Sequence, residues 1–82
     1  MPDRVRYAVT RFPDLAPAIK QCCADNRFFR SLCEDYGEAV EVLRGWEGEN
    51  DPERLERCNA CRELIADLER EILRELEHWI GE

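Results

Sequence analysis

The sequence predicts an all-α protein built on an antiparallel helical hairpin, and three observations carry that expectation. Phe29, Leu32, Tyr36, Ala39, Leu43 and Trp46 recur at alternating steps of three and four residues, the spacing that keeps apolar side chains on one face of a helix. After a break containing Gly, Asn and Asp, the residues Cys58, Cys61, Ile65, Leu68, Ile72 and Trp79 continue the rhythm. Charged residues make up 38% of the chain, with only four glycines and four prolines. Long helices fit that composition better than a disordered tail or a β-sandwich.

Residues 1–12 place Val5, Tyr7 and Val9 two apart, the period of a half-buried strand. With no second strand to pair with, they are expected as an extended N-terminal arm lying across the helices. Phe12-Pro13-Asp14 then starts a short helix over about 14–24. Asp14 serves as N-cap, Pro17 sits in the first turn where a missing N–H does little harm, and Leu15, Ile19 and Cys22 point inward. Asp25-Asn26 offers both a stop and a new cap, so the spacing leaves open whether this helix and the next are continuous.

The first long helix is expected over 27–47. In heptads, Phe29, Tyr36 and Leu43 fall at a, and Leu32, Ala39 and Trp46 at d, while Phe28, Cys33, Val40 and Val42 widen the stripe beyond a two-helix seam. Gly37 interrupts it at a cost of about 1 kcal/mol relative to Ala, either to admit a close neighbour or merely tolerated. Gly48 suits the end of this helix. Asp51, Pro52 and Glu53 supply an N-cap, a first-turn proline and a carboxylate at the positive end of the next helix dipole, expected over 52–80 with Gly81 as its stop. At 1.5 Å per residue the two long helices span about 30 and about 43 Å. The second therefore overhangs the first, and the short helix is expected to cover that overhang, bringing Leu15, Ile19 and Cys22 near Ile72, Leu76 and Trp79.

Eighty-two residues form one small domain, here 13–82 behind the arm, with a modest core that a second copy would complete. A homodimer or higher homo-oligomer is expected, using the flanks Phe28, Val40, Val42, Leu64 and Leu73. Nineteen acidic against twelve basic residues leave a formal charge of -7, which speaks against nucleic acid as partner. The charge is uneven. Arg4, Arg6 and Arg11 against Asp3 give residues 1–12 a net +2 and leave -9 for the rest. A basic arm beside an acidic body docks most simply on that body or on a second copy of it; a larger partner held by the arm is a further reading. No apolar run approaches the roughly 20 residues a bilayer span needs, and no secretory signal core is visible, so no membrane association and a cytoplasmic location are expected. The five cysteines, an odd number, then read as free thiols.

Phe12-Pro13-Asp14-Leu15, the run from Asp25 to Leu32, Tyr36, Trp46-Glu47, and Leu64 to Leu73 with its Leu-Glu-Arg-Glu-Ile core resemble the YdcH-like small bacterial proteins. The resemblance spans residues 12–76 and implies a helical hairpin of unknown function; it brings no catalytic residues. The chain departs from the family pattern in carrying arginine and glutamate where lysines are common in the second helix, and in adding the basic arm and Cys58-Asn59-Ala60-Cys61.

Cys58-x-x-Cys61 is the sharpest chemical motif, since two thiolates that close can bind zinc or exchange disulfides. Both, however, occupy the seam that Ile65 and Leu68 continue, where small apolar side chains belong. Folding about residue 49 sets Cys33 and Cys22 roughly 10 and 27 Å of helix away from Cys58, so a closed site needs a second chain. Core packing is the leading reading, and a thiol-based zinc or redox module using Cys58 and Cys61 the alternative. Of the neighbours Cys22 and Cys23, which point about 100° apart, Cys22 faces inward and Cys23 is the more exposed. His78 is the only histidine and reads as a solvated or dipole-facing side chain. Glu69, Glu71, Glu75 and Glu77 scatter around the helix as a solvated face, and Trp46 and Trp79 plug helix ends. No catalytic residue and no cofactor is expected: the sequence has no Gly-rich phosphate loop and no nucleophile with its base. It describes a non-enzymatic interaction protein.

Overall fold

Four α-helices and one short 3-10 turn make up residues 3–81, which are the residues the computed structural model describes. Residues 1 and 2 of the expected arm, and residue 82 at the end of the expected domain, lie outside them. The helices are α1 (Val5–Arg11), α2 (Ala16–Asp25, entered through a 3-10 turn at Pro13–Leu15), α3 (Arg27–Glu47) and α4 (Arg54–Gly81). The described residues are all-α, with no strand among them.

The junction between the second and third helices is a clean break at Asn26. Its N–H donates to the Cys22 carbonyl at 2.8 Å and closes α2, while its Oδ1 accepts the Phe29 N–H at 3.1 Å and caps α3. Its extended backbone, φ -136° and ψ 110°, turns the chain between them. Helix α4 begins two residues later than expected. The Asp51 carboxylate accepts the Glu53 N–H at 2.7 Å and its carbonyl accepts the Arg54 N–H, so 51–53 form the turn that precedes the helix.

The longest shared interface lies between α3 and α4. The Tyr36 hydroxyl meets Glu69, and nearer the connecting segment Glu47 meets both the Arg62 and the Arg54 side chains. Around one end of this pair, α1 and α2 build the core. Ile19 and Cys22 from α2, Phe29 and Cys33 from α3, and Ile72 and Leu76 from α4 are all almost fully buried there. Leu15 and Trp79 pack against that cluster, so the expected covering of the α4 overhang by the short helix is present.

The N-terminal segment corrects the expected extended arm: Val5–Arg11 is helical. Val5 and Ala8 are buried, and Val9 and Phe12 pack against the core. Those four positions fall at i, i+3, i+4 and i+7, a helical period hidden beneath the alternation of Val5, Tyr7 and Val9. An extended segment with no strand beside it would leave its backbone N–H and C=O groups without partners, whereas a helix pairs them internally. The Asp3 carboxylate accepts the Val5 N–H at 3.0 Å and starts the turn.

Gly37 is what lets α1 dock. A Cβ at this position would lie 2.4 Å from the Arg4 carbonyl oxygen and 2.6 Å from the Arg4 Cβ. The backbone of α1 therefore rests directly on the backbone of α3. Gly37→Ala is expected to force α1 away and to destabilise the fold by about 1–3 kcal/mol, as overpacking does. Gly45 has open space around its Cβ position, and Gly45→Ala is expected to stabilise α3 by up to about 1 kcal/mol. Thermal melts of the two variants should thus shift in opposite directions, by about 4–8 °C per kcal/mol for a domain of this size.

Candidate functional site

Two carboxylates hold α1 in place. Glu41 on α3 accepts the Arg4 Nε–H at 2.8 Å and the Tyr7 hydroxyl at 3.2 Å. The hydrogen bond from Arg4, reinforced by that from Tyr7, keeps the Glu41 carboxyl below its ordinary range. On α4, Glu69 Oε2 accepts the Tyr36 hydroxyl at 2.8 Å and the Arg11 Nε–H at 3.1 Å. Burial first, and then the bond to Glu69, push the Tyr36 phenol above its ordinary value. Glu69 thus joins α1, α3 and α4 at one atom. The expectation that a basic N-terminus settles on an acidic body is met through these two pairs.

Tyr7 sits at the centre of a second arrangement. The guanidinium carbons of Arg6 and Arg44 each lie 5.2 Å from its ring centroid, so two cations flank one aromatic side chain. Beside it runs a groove between α1 and α3 with a volume of about 520 Å³, lined by Arg6, Tyr7, Thr10 and Arg11 on one side and Tyr36, Val40 and Arg44 on the other.

Cys58 is buried and Cys61, one turn later on α4, is half-buried. Arg57 stacks over Trp46 at 4.7 Å and Arg62 pairs with Glu47 at 3.2 Å. These contacts set Cys58 beside the last turn of α3, further along that helix than a fold about residue 49 implies. The displacement follows from the connection: residues 48–53 lie between the helices, centring the turn past residue 50. Among the described residues no group of three or more His, Cys, Asp or Glu side chains is arranged to hold a metal ion. The other three cysteines gather at the opposite end. Cys22 and Cys33 are buried, and Cys23, half-buried, is the most exposed of them. Burial raises all three thiols, Cys22 to about 11. Thiols so protonated are poor nucleophiles and behave as packing groups.

The five expected interaction residues do not converge on one patch. Phe28 and Val42 on α3 are 59% and 44% exposed, and their spacing of fourteen residues places them on nearly the same side of the helix. Leu64 and Leu73 on α4 are 51% and 38% exposed, but nine residues apart they face opposite ways. Leu73 lines a shallow apolar cleft with Leu15, Leu76 and Ile80. Val40 is partly buried against the core and forms a wall of the α1–α3 groove. Leu55 and Ile80, 67% and 56% exposed, join the exposed apolar set without having been expected there.

Sequence reasoning placed none of Tyr7, Glu41, Arg44 and Glu69 at a shared site. Glu69 read as part of a solvated face and Tyr36 as a seam residue, because helical spacing says which face a residue occupies and not which polar group waits across the interface. No known family, curated protein or solved structure matches the chain.

Tyr36→Phe removes a hydrogen bond to a charged acceptor and is expected to destabilise the protein by about 1–2 kcal/mol, whereas Arg11→Ala, which breaks the more exposed pair, is expected to lose less than about 1 kcal/mol. Urea unfolding of both variants checks the order. Alkaline pH supplies a second test. The native state holds the Cys22 thiol protonated up to about 11 while the unfolded chain releases it near 9.0. Stability is therefore complete below about pH 9 and falls as pH rises toward 11, with Cys33 and Tyr36 acting in the same direction. Urea midpoints between pH 8 and pH 11, on this reading, are flat at first and then decline.

Proposed function

We propose that the chain is a non-enzymatic helical interaction protein whose α3 and α4 form an antiparallel hairpin, and that it self-associates through the end of that hairpin which α1 and α2 leave uncovered. The observation that carries this reading is the burial pattern. From Val42 through Leu64 only Cys58 is buried, although Leu43, Trp46 and Cys61 continue the seam through that stretch. Buried seam residues are sparse where the molecule is two helices thick and dense where α1 and α2 wrap it, with Phe29, Leu32, Tyr36, Ala39 and Ile72 all buried there.

Surface area supports the same reading. The accessible surface is 5868 Å², against about 5,100 Å² for a typical folded monomer of this mass. The excess, about 770 Å², is close to the roughly 800 Å² that each partner contributes to a standard-size interface. The extents of 47 × 26 × 21 Å locate that excess in an elongated shape. The occupant of the uncovered end is a second copy of the chain, whose own uncovered seam supplies the complementary apolar surface. Val42 and Leu64 belong to this end. Phe28 and Leu73 lie toward the other end and serve as secondary contacts. The resemblance of residues 12–76 to YdcH-like bacterial hairpins is part of this reading, as is a cytoplasmic location; among the described residues no helix is long and apolar enough to cross a membrane.

Sedimentation of the full chain at micromolar concentration is expected to give a dimer or larger assembly. Val42→Glu combined with Leu64→Glu, both at exposed positions, is expected to yield a monomer with unchanged helicity. A wild-type chain that remains a cooperatively melting monomer throughout that range would overturn the proposal.

A further inference from the structure

The groove between α1 and α3 is cationic in a protein whose formal charge is -7. Three arginines line it and no carboxylate does. Arg11 is already engaged by Glu69. Among the described residues neither Arg6 nor Arg44 has a carboxylate within ion-pair distance. Both are instead stationed against the Tyr7 ring, each 5.2 Å from its centroid.

That stationing matters chemically. A guanidinium held against an aromatic ring keeps its in-plane N–H donors for another acceptor, and the ring limits the positions it explores. Arg6 commits one donor to the Tyr7 hydroxyl and is attracted by the more distant Glu41 and Asp3, Arg44 rests against the same ring, and both keep further fork donors with no carboxylate in ion-pair contact among the described residues. The Thr10 hydroxyl stands on the same wall as a further donor, and Val40 supplies apolar surface across from it. A volume of about 520 Å³ falls within the range of small-molecule sites, roughly 300–1,000 Å³.

We infer that this groove binds a phosphoryl dianion, with Arg6 and Arg44 taking its oxygens, Thr10 donating a further hydrogen bond and Val40 facing whatever the phosphoryl group is attached to. Two guanidiniums without an ion-pair contact among the described residues complement a charge of about −2, which a phosphate group carries near neutral pH. Fork-shaped guanidinium donors match its oxygens bidentately. Free phosphate and a small organic phosphomonoester share this chemistry, and the second would also use the apolar wall. The site is separate from the uncovered end of the hairpin, so it stands whether or not the chain self-associates.

Titration of the ¹⁵N-labelled full chain with inorganic phosphate, and in parallel with phenyl phosphate, at constant ionic strength balanced with sodium chloride, tests the inference. Saturable amide shifts centred on Tyr7, Thr10, Val40 and Arg44 are expected. Tighter binding of phenyl phosphate assigns the groove to a phosphomonoester, and equal or weaker binding assigns it to free phosphate. Arg6→Gln combined with Arg44→Gln should weaken binding at least tenfold. Because loss of the stack on Tyr7 could loosen α1, Thr10→Ala serves as a second variant that leaves the stack intact, with an expected several-fold weakening. Arg30→Gln, on a different face of α3, should change nothing. Non-saturating shifts, shifts centred elsewhere, or undiminished binding by both the double variant and Thr10→Ala would overturn the inference.

Discussion

A helix of seven residues has no stability of its own in water, so α1 exists only because α3 offers it a seat. The seat is Gly37. With no side chain there, the Arg4 backbone approaches α3 directly, and that approach puts Tyr7 within reach of Glu41 and Arg11 within reach of Glu69. Everything on that side of the molecule depends on the contact. The burial of Val5 and Ala8, the half-covering of Val40 and the groove with its arginines all exist because α1 lies where it does. A glycine that weakens its own helix thus recruits another, and the deficit in local propensity is offset by contacts far away in sequence.

The long helices were legible because their signal is redundant. The α3 ladder repeats over three heptads and is bounded by a capping asparagine, and α4 is announced by Asp51 and Pro52. The docking of α2 on the far end of α4 was legible from length alone, since one helix exceeds the other. The conformation of α1 was not. Over seven residues a two-residue and a 3.6-residue period share most of their apolar positions, and what separates them here is Gly37, some thirty residues away. The polar site was least legible. Glu41 and Glu69 carry no local mark that distinguishes them from the other carboxylates on their helices. Their partners arrive from α1, whose own shape had to be known first.

The five cysteines illustrate how one residue type divides by position. At the wrapped end Cys22 and Cys33 fill space among Phe29, Ile19 and Ile72, and burial holds their protons in place. Toward the connection between α3 and α4, Cys58 is buried near the last turn of α3 while Cys61 stays half-buried. Each end thus holds at least one buried thiol and one half-buried thiol, Cys23 at the wrapped end and Cys61 at the other.

Asn26 carries a consequence for how the chain can change length. One residue both terminates α2 and starts α3, with its N–H serving one helix and its side-chain oxygen the other. The two helices are therefore locked in phase. A single inserted residue would rotate α2 by about 100° relative to α3 and swing Ile19 and Cys22 off α4. The segment 48–53 is exposed throughout, and its capping contacts are split between α3, closed by Gly48 and Glu49, and α4, opened by Asp51. Length variation is excluded at Asn26 and tolerated beside Asn50, between the residues that close α3 and the Asp51 that opens α4, which makes that point the place to splice in a reporter.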